Sequence, residues 1–263
     1  MWIRLLSDDI AYVPMQWVWM VPQLVAVSVA VSIATAMLAF GLSSMARQSS
    51  RHRTLKQSGA VLCLGGGVWS MHFIGMQAFT PCGSGDISWL HSALSALPGL
   101  LAAAVLVRTL SRAQPSRISM LLSGLFFGAA VVVTHFWGMR AAEATHYMDY
   151  PLFGVLLALT FGVAMAMCAV ALFCHMRTKG MDMLPTVLLC GSVLGLSTAS
   201  MHYIAMDAIH MPVGPDPTHS VPLESHWTLL STTASALLVL VLVLLAAGIA
   251  LRRRKRFAEA QRS

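Results

Sequence analysis

The chain has 263 residues, of which 57% are hydrophobic and only 10% are charged, and its formal net charge is +7. A soluble domain needs a larger charged share to cover its surface, so this composition excludes a soluble globular protein. The basic residues are spread over short loops instead of one folded face, and we therefore expect no nucleic-acid partner.

Seven stretches are long and apolar enough to cross a hydrocarbon core about 30 Å thick as helices. In chain order they cover residues 13–42, 59–80, 87–107, 118–139, 151–176, 184–206 and 227–251. The first stretch is longer than the apolar region of a cleaved signal peptide, so we expect it to be retained. The prediction is an all-α protein of seven transmembrane helices, with a membrane domain over residues 1–257, a short cytoplasmic tail over 258–263 and no output domain.

Charge differs between the two sides of these spans. All Lys and Arg residues except Arg4 and Arg140 follow the odd-numbered spans. All acids except Asp182 and Glu259 lie before the first span or after the even-numbered spans. Because basic loops stay on the cytoplasmic side, we expect the amino end outside and the carboxyl end inside. The expected location is the bacterial inner membrane, with membrane lipid as the surrounding partner.

The second, fourth and sixth spans end in copies of one pattern, near residues 65–78, 128–141 and 195–208. The shared pattern is Gly-x6-His-[Phe/Tyr]-[Ile/Trp]-[Gly/Ala]-Met-x-Ala. One span separates each copy from the next, so the three helices run in the same direction and their histidines share one depth near the outer surface. The sequence therefore predicts an internal threefold repeat.

Within each copy the glycine, the histidine and the methionine lie on one helix face. Small residues allow helices to pack closely in a membrane, and this role is predicted for Gly65, Gly128 and Gly195. Imidazole and thioether donors without a carboxylate suit copper better than zinc, calcium or magnesium. The predicted metal ligands are His72, Met76, His135, Met139, His202 and Met206, with Met71, Met201 and His91 as additional or supporting residues. At each copy, a histidine that only hydrogen-bonds inside the bundle and a methionine that only fills space are the alternatives.

At these motifs, above all Met201-His202-Tyr203, the sequence resembles the MHYT domain family of bacterial integral-membrane sensors. The resemblance implies a sensory function in which the outer-face His and Met residues hold a metal, with copper expected, that responds to oxygen, carbon monoxide or nitric oxide. Members of this family commonly continue into a cytoplasmic cyclase, phosphodiesterase or kinase module. Since the sequence ends soon after Arg256, we expect its signal to reach a separate cytoplasmic protein, or to travel through a homo-oligomer.

Three other functions stay open at this point. A copper-delivery factor or transporter would need donors leading towards the cytoplasm, for which Cys63, Cys168 and Cys190 are candidates. A haem protein would use two of the histidines as axial ligands, and a proton sensor would use them without a metal. An enzyme is not expected, because no nucleophile with a neighbouring base is evident in the sequence.

Overall fold

The computed structural model describes residues 12–14, 20–48, 51–79, 88–142 and 150–212, and these residues form seven helices and one pair of short strands. In chain order the elements are β1 (Tyr12–Pro14), α1 (Pro22–Gln48), α2 (Arg53–Gln77), α3 (Trp89–Leu94), α4 (Ala96–Leu110), α5 (Arg117–Ala142), α6 (Leu152–Thr178), α7 (Met183–Asp207) and β2 (His210–Pro212). The predicted all-α class is confirmed.

Within the described residues, six helical segments are long and apolar enough to cross a membrane. They are α1, α2, the combined segment Trp89–Leu110, α5, α6 and α7, and they correspond to the first six predicted spans. The predicted seventh span, 227–251, and the predicted tail, 258–263, lie outside the described residues. The chain is therefore a multi-pass membrane protein.

One predicted span boundary is wrong, and one predicted span is divided internally. The first span was expected from residue 13, but α1 begins at Pro22 and residues 12–14 form β1, which pairs antiparallel with β2. Proline suits the first helical position because its missing N–H has no partner there in any case. The third span is divided at Ser95 into α3 and α4, because Pro98 offers no N–H to the carbonyl of Leu94 and its ring crowds that carbonyl.

The six spanning segments form a closed ring with approximate threefold symmetry. Helix α1 packs against α2 and α7, α4 against α2 and α5, and α6 against α5 and α7. The helices that carry the sequence motif, α2, α5 and α7, thus alternate with α1, α4 and α6 and are the more deeply buried of the two sets. This arrangement turns the same motif face towards the centre of the bundle three times.

The motif glycines lie where each motif helix comes closest to a neighbour. A Cβ atom added to each glycine would stand 2.5–2.8 Å from a Cα atom of the adjoining helix, in the pairs Gly65 with Leu100, Gly128 with Val163 and Gly195 with Ile33. Real Cβ atoms do not approach backbone this closely, so only glycine permits these backbone separations. The contact between α1 and α7 also has a hydrogen bond, which Ser32 Oγ donates to the Gly195 carbonyl over 2.9 Å.

At one end of the bundle, here called the histidine end, other segments bond to the residues that follow the motifs. Val21 N–H donates to the Ala78 carbonyl over 2.8 Å, and Ser88 N–H donates to the Ala141 carbonyl over 3.0 Å. The third motif helix, α7, leads into β2, which pairs with β1. All three motif helices are therefore fixed at the same end.

The opposite end, here called the basic end, is held by cationic side chains that bind helix-terminal carbonyls. Arg177 donates to the carbonyls of Leu110, Arg112 and Ala113 over 2.8, 3.0 and 3.1 Å. These carbonyls end α4 and begin the turn to α5, where a helix has unpaired acceptors and a partial negative charge. Arg177 thus fastens the α4–α5 turn to α6.

Candidate metal centre

The three motif histidines meet at the centre of the bundle. The Nδ1 atoms of His72 and His135 are 3.2 Å apart, those of His72 and His202 are 3.2 Å apart, and those of His135 and His202 are 3.0 Å apart. All three side chains are buried, with at most 1% of their surface exposed. We call this group the histidine triangle; it is the one cluster of potential metal ligands among His, Cys, Asp and Glu side chains of the described residues.

The environment of each ring is nearly the same in all three copies. The imidazole planes cross one another at 79–87°. Each ring also meets the aromatic side chain that follows it edge to face, with centroids 4.9 Å apart in every copy. These partners, Phe73, Phe136 and Tyr203, fix the orientation of the rings. The Tyr203 hydroxyl is held in turn by a 2.5 Å hydrogen bond with Ser28 Oγ.

The outer edges of the rings pack on small residues of neighbouring motif helices. A Cβ atom at Gly138 would lie 2.2 Å from His72 Nε2, and a Cβ atom at Gly75 would lie 2.4 Å from His202 Nε2. The sequence pattern recorded these positions as Gly or Ala three residues after each histidine, and the third copy has Ala205. No role was predicted for them, although their small size was the available signal.

The donor chemistry of the triangle favours a bound cation. A neutral imidazole has one N–H group and one lone pair, so each Nδ1 is either a donor or an acceptor. Among three mutually close Nδ1 atoms at least two must be of the same kind, which brings two lone pairs or two N–H groups together. A metal ion that accepts all three lone pairs removes this conflict and leaves the protons on Nε2. The three Nε2 atoms are buried and have no hydrogen-bond partner of good geometry among the described residues, and His202 Nε2 packs against Gly75.

The methionines four residues after each histidine also come together. Met76, Met139 and Met206 are each at most 1% exposed, and they share one apolar cluster with Phe79 and Ile209. We call these three side chains the methionine cluster. Since each lies one helical turn beyond its histidine, the cluster forms the layer next to the triangle on the side of the histidine end.

The residues that precede the histidines lie on the other side of the triangle. Met71, Thr134 and Met201 line a space beside the three rings that is too small to hold a water molecule. The hydroxyl of Thr134 is buried there and has no hydrogen-bond partner among the described residues. The triangle is therefore closed by packing towards the basic end.

The structure does not bring every predicted residue to this centre. His91 is exposed and its Nδ1 is 3.0 Å from Ser88 Oγ, outside the histidine triangle. Cys63 and Cys190 are buried within helices, and Cys168 is exposed. Cys190 Sγ contacts Met176 Sδ at 3.9 Å, which is a contact between two core side chains of α6 and α7.

These features define a multi-pass helical membrane protein in which three repeats each bring one histidine to a shared buried centre. The family profile MHYT, described as "Bacterial signalling protein N terminal repeat", matches residues 65–123, 128–185 and 195–261. Each match begins at a motif glycine. The chain belongs to the MHYT family, and the predicted membership is confirmed.

Several curated signalling proteins are similar to this chain. The cyclic di-GMP phosphodiesterase NbdA of Pseudomonas aeruginosa is 26% identical over 198 residues, which cover 73% of this chain and 25% of NbdA. The bifunctional diguanylate cyclase/cyclic di-GMP phosphodiesterase MucR of the same organism is 29% identical over 160 residues, which cover 59% of this chain and 23% of MucR. An uncharacterized signaling protein of Caulobacter vibrioides is 29% identical over 206 residues, which cover 76% of this chain and 24% of that protein. The chain thus spans about a quarter of the length of these relatives, and no solved structure matches it.

Proposed function

We propose that this MHYT domain senses a chemical signal through a metal ion, copper above all, held by the Nδ1 atoms of His72, His135 and His202. The observation that carries the proposal is the triangle of 3.0–3.2 Å between these atoms. Two nitrogens bound to one ion at about 2.0–2.1 Å, with an angle of roughly 100–120° between them, lie roughly 3.1–3.6 Å apart. The observed separations of 3.0–3.2 Å reach from just below this range to its lower end, so the histidines need little movement to hold one ion.

The methionine cluster supports copper as the ion. Thioethers favour the cuprous ion, whereas zinc rarely binds them in proteins, and imidazole suits both oxidation states of copper. When bound, copper would supply a centre that changes oxidation state or accepts a small neutral ligand. The layer next to the triangle is formed by apolar side chains such as Met76 and Phe79, and apolar surroundings suit an uncharged diatomic gas. Oxygen, carbon monoxide and nitric oxide are therefore the proposed ligands, together with redox state.

The closed ring of helices provides the route for the signal. Each histidine sits two turns from a glycine that packs against a neighbouring helix, so a shift of one imidazole moves a motif helix against α1, α4 or α6. Such a shift would reach the basic end, where a separate cytoplasmic protein or a second copy of the chain would receive it. Because NbdA and MucR are named as enzymes of cyclic di-GMP, we propose that this signal addresses cyclic di-GMP turnover.

The proposed orientation places the histidine end outside and the basic end in the cytoplasm of the bacterial inner membrane. Residues Arg47, Arg53, Arg108 and Arg117 all lie at the basic end in loops or helix termini, as the positive-inside rule requires of cytoplasmic segments. Labelling of single cysteines introduced at positions 114 and 88 with a membrane-impermeant reagent tests this directly. The orientation is reversed if position 114 reacts in intact cells and position 88 does not.

The geometry is less suited to haem than to a single small ion. Axial nitrogens on opposite faces of one iron stand about 4 Å apart, given about 2 Å for each metal–nitrogen bond, and a macrocycle must fit between them. The triangle is tighter than this and closely packed on the side of Met71, Thr134 and Met201. Absence of a Soret band in protein purified from cells supplied with haem precursor would agree with this argument.

Metal analysis of the purified chain tests the proposal. Protein expressed in copper-replete medium should contain close to one copper per chain, and His72→Ala, His135→Ala and His202→Ala should each lose it. The matched controls are His91→Ala and His175→Ala, whose exposed imidazoles lie outside the triangle. The proposal fails if the triangle variants, shown to be folded by circular dichroism, keep the metal content of the controls.

A further inference from the structure

A groove between α4 and α5 opens at the basic end and combines a cationic mouth with an apolar wall. Its volume is about 790 Å³. Arg108, Arg112, Ser116 and Ser119 line it near the α4–α5 turn, and Leu122 and Phe126 line it further along α5. The groove lies well away from the histidine triangle, so the proposed sensory function does not account for it.

The polar mouth of the groove is held in place by its own hydrogen bonds. Arg112 Nη1 donates to Ser119 Oγ over 3.3 Å, and Ser119 N–H donates to Ser116 Oγ over 3.1 Å. Thr109 Oγ1 and Ser119 Oγ are 3.5 Å apart. A guanidinium and several hydroxyls are thus gathered at one spot, which is the donor set that proteins use to bind phosphate oxygens.

No negative charge of the described residues balances this mouth. The acids that the structure describes are Asp182 and Asp207, and neither lines the groove. Arg108 lies in the last turn of α4 and Arg112 in the turn that follows it, and both line the groove. Like charges repel each other, so an anion placed between the two guanidinium groups would stabilise both. The positive charge at the mouth therefore favours an anionic ligand.

The wall of the groove shows which anion is favoured. Leu122 and Phe126 are 57% and 47% exposed, and Ile118 at the mouth is 70% exposed. These side chains follow the cationic mouth along a helix long and apolar enough to cross the membrane, so the surface next to the charges belongs to the acyl-chain region. A free phosphate or a soluble nucleotide would leave this wall uncovered.

We propose that this groove is a binding site for one anionic phospholipid, with its phosphate at Arg108, Arg112 and the Ser116 and Ser119 hydroxyls, and an acyl chain along Leu122 and Phe126. Basic pockets between membrane helices on the cytoplasmic side bind anionic head groups in this manner. The bound lipid would join α4 to α5 beside the turn that Arg177 fastens to α6.

Native mass spectrometry of the full chain in detergent, titrated with phosphatidylglycerol or phosphatidylcholine, tests this site. We expect one phosphatidylglycerol to bind in preference to phosphatidylcholine, and the double variant Arg108→Gln/Arg112→Gln to bind it about 25-fold more weakly, since each charge near the surface contributes about fivefold. Lys179→Gln is the matched control, because it removes an exposed charge from the basic end without touching the groove. Thermal unfolding confirms that each variant is folded, and the single variant Arg108→Gln, expected to lose about fivefold, replaces the pair if the double variant does not fold.

Two further arms separate the lipid from a soluble phosphate. Inorganic phosphate at millimolar concentration should not displace phosphatidylglycerol. The variant Phe126→Ser should weaken the binding of phosphatidylglycerol without changing any binding of inorganic phosphate. The proposal is overturned if the two lipids bind equally, or if the double variant binds phosphatidylglycerol as well as Lys179→Gln does. Displacement of the lipid by inorganic phosphate would overturn it as well.

Discussion

A methyl group at position 138 would press directly on the histidine triangle. An alanine Cβ there would lie 2.2 Å from His72 Nε2, whereas ordinary contact begins near 3.4 Å, so relief needs roughly 1.2 Å of movement. Gly138 and His135 share α5, and the His72 ring would therefore move away from His135. The distance between their Nδ1 atoms, which is now 3.2 Å, would then grow beyond the roughly 3.6 Å that two nitrogens on one ion can span.

We expect Gly138→Ala to weaken metal binding by about tenfold or more and to lower the free energy of unfolding by about 1–3 kcal/mol, the range for overpacking a core. Competition with a chelator measures the first effect, and thermal unfolding in detergent measures the second. The matched control is Gly41→Ala, where the nearest atom to an added Cβ would be Val187 Cγ1 at 4.0 Å. If Gly138→Ala binds metal and unfolds like this control, the close contact between Gly138 and the ring does not exist in solution.

Three further predictions concern groups around the centre and at the basic end. Replacing the whole methionine cluster by leucine nearly conserves volume, so we expect the fold to persist while cuprous affinity falls by about tenfold or more relative to zinc; an unchanged ratio in competition titrations would show that the thioethers only pack. Tyr203→Phe should lower the free energy of unfolding by about 1 kcal/mol. The double variant with Ser28→Ala should lose less than the sum of the two single variants, because both changes remove the same Tyr203–Ser28 bond and only Ser28→Ala also removes the bond to the Val25 carbonyl; additive losses would contradict this. Arg177→Lys keeps the charge but loses the planar fork that binds three carbonyls, and we expect a loss of about 1–3 kcal/mol in thermal unfolding that Lys179→Arg does not show; equal stability of the two variants would refute it.

Much of the fold could be predicted from the sequence because a membrane leaves few choices. Apolar length alone located the first six spans, and the glycine spacing indicated which helix faces pack closely. The boundary of the first span could not be found this way, because residues 12–14 are apolar enough for a helix and their strand conformation depends on partners at 210–212. The division at Ser95 was within reach, since Pro98 stands inside an apolar run and signals a break.

The candidate site, like the fold, could be predicted from the sequence only in part. Periodicity put each histidine on one face with its glycine, and identical spacing in three copies predicted a common depth, which the structure shows as one cluster. Periodicity could not say which ring nitrogens face inward, because that choice depends on side-chain rotation and on packing between helices. For the same reason the contacts of Gly75 and Gly138 with imidazole rings were not predicted, and neither was the exposed position of His91.

The closure of the ring has a consequence for how the protein is made. Helix α1 leaves the ribosome before the other helices of the ring, yet one of its two flanks is covered by α7, the last of them. Until α7 enters the bilayer, the Ser32 hydroxyl lacks the Gly195 carbonyl that accepts its hydrogen bond, and the surface around Ile33 faces lipid or the insertion machinery. Closure of the ring therefore joins the first and the last of these six helices to be made, and the imidazole of His202 arrives in the same step.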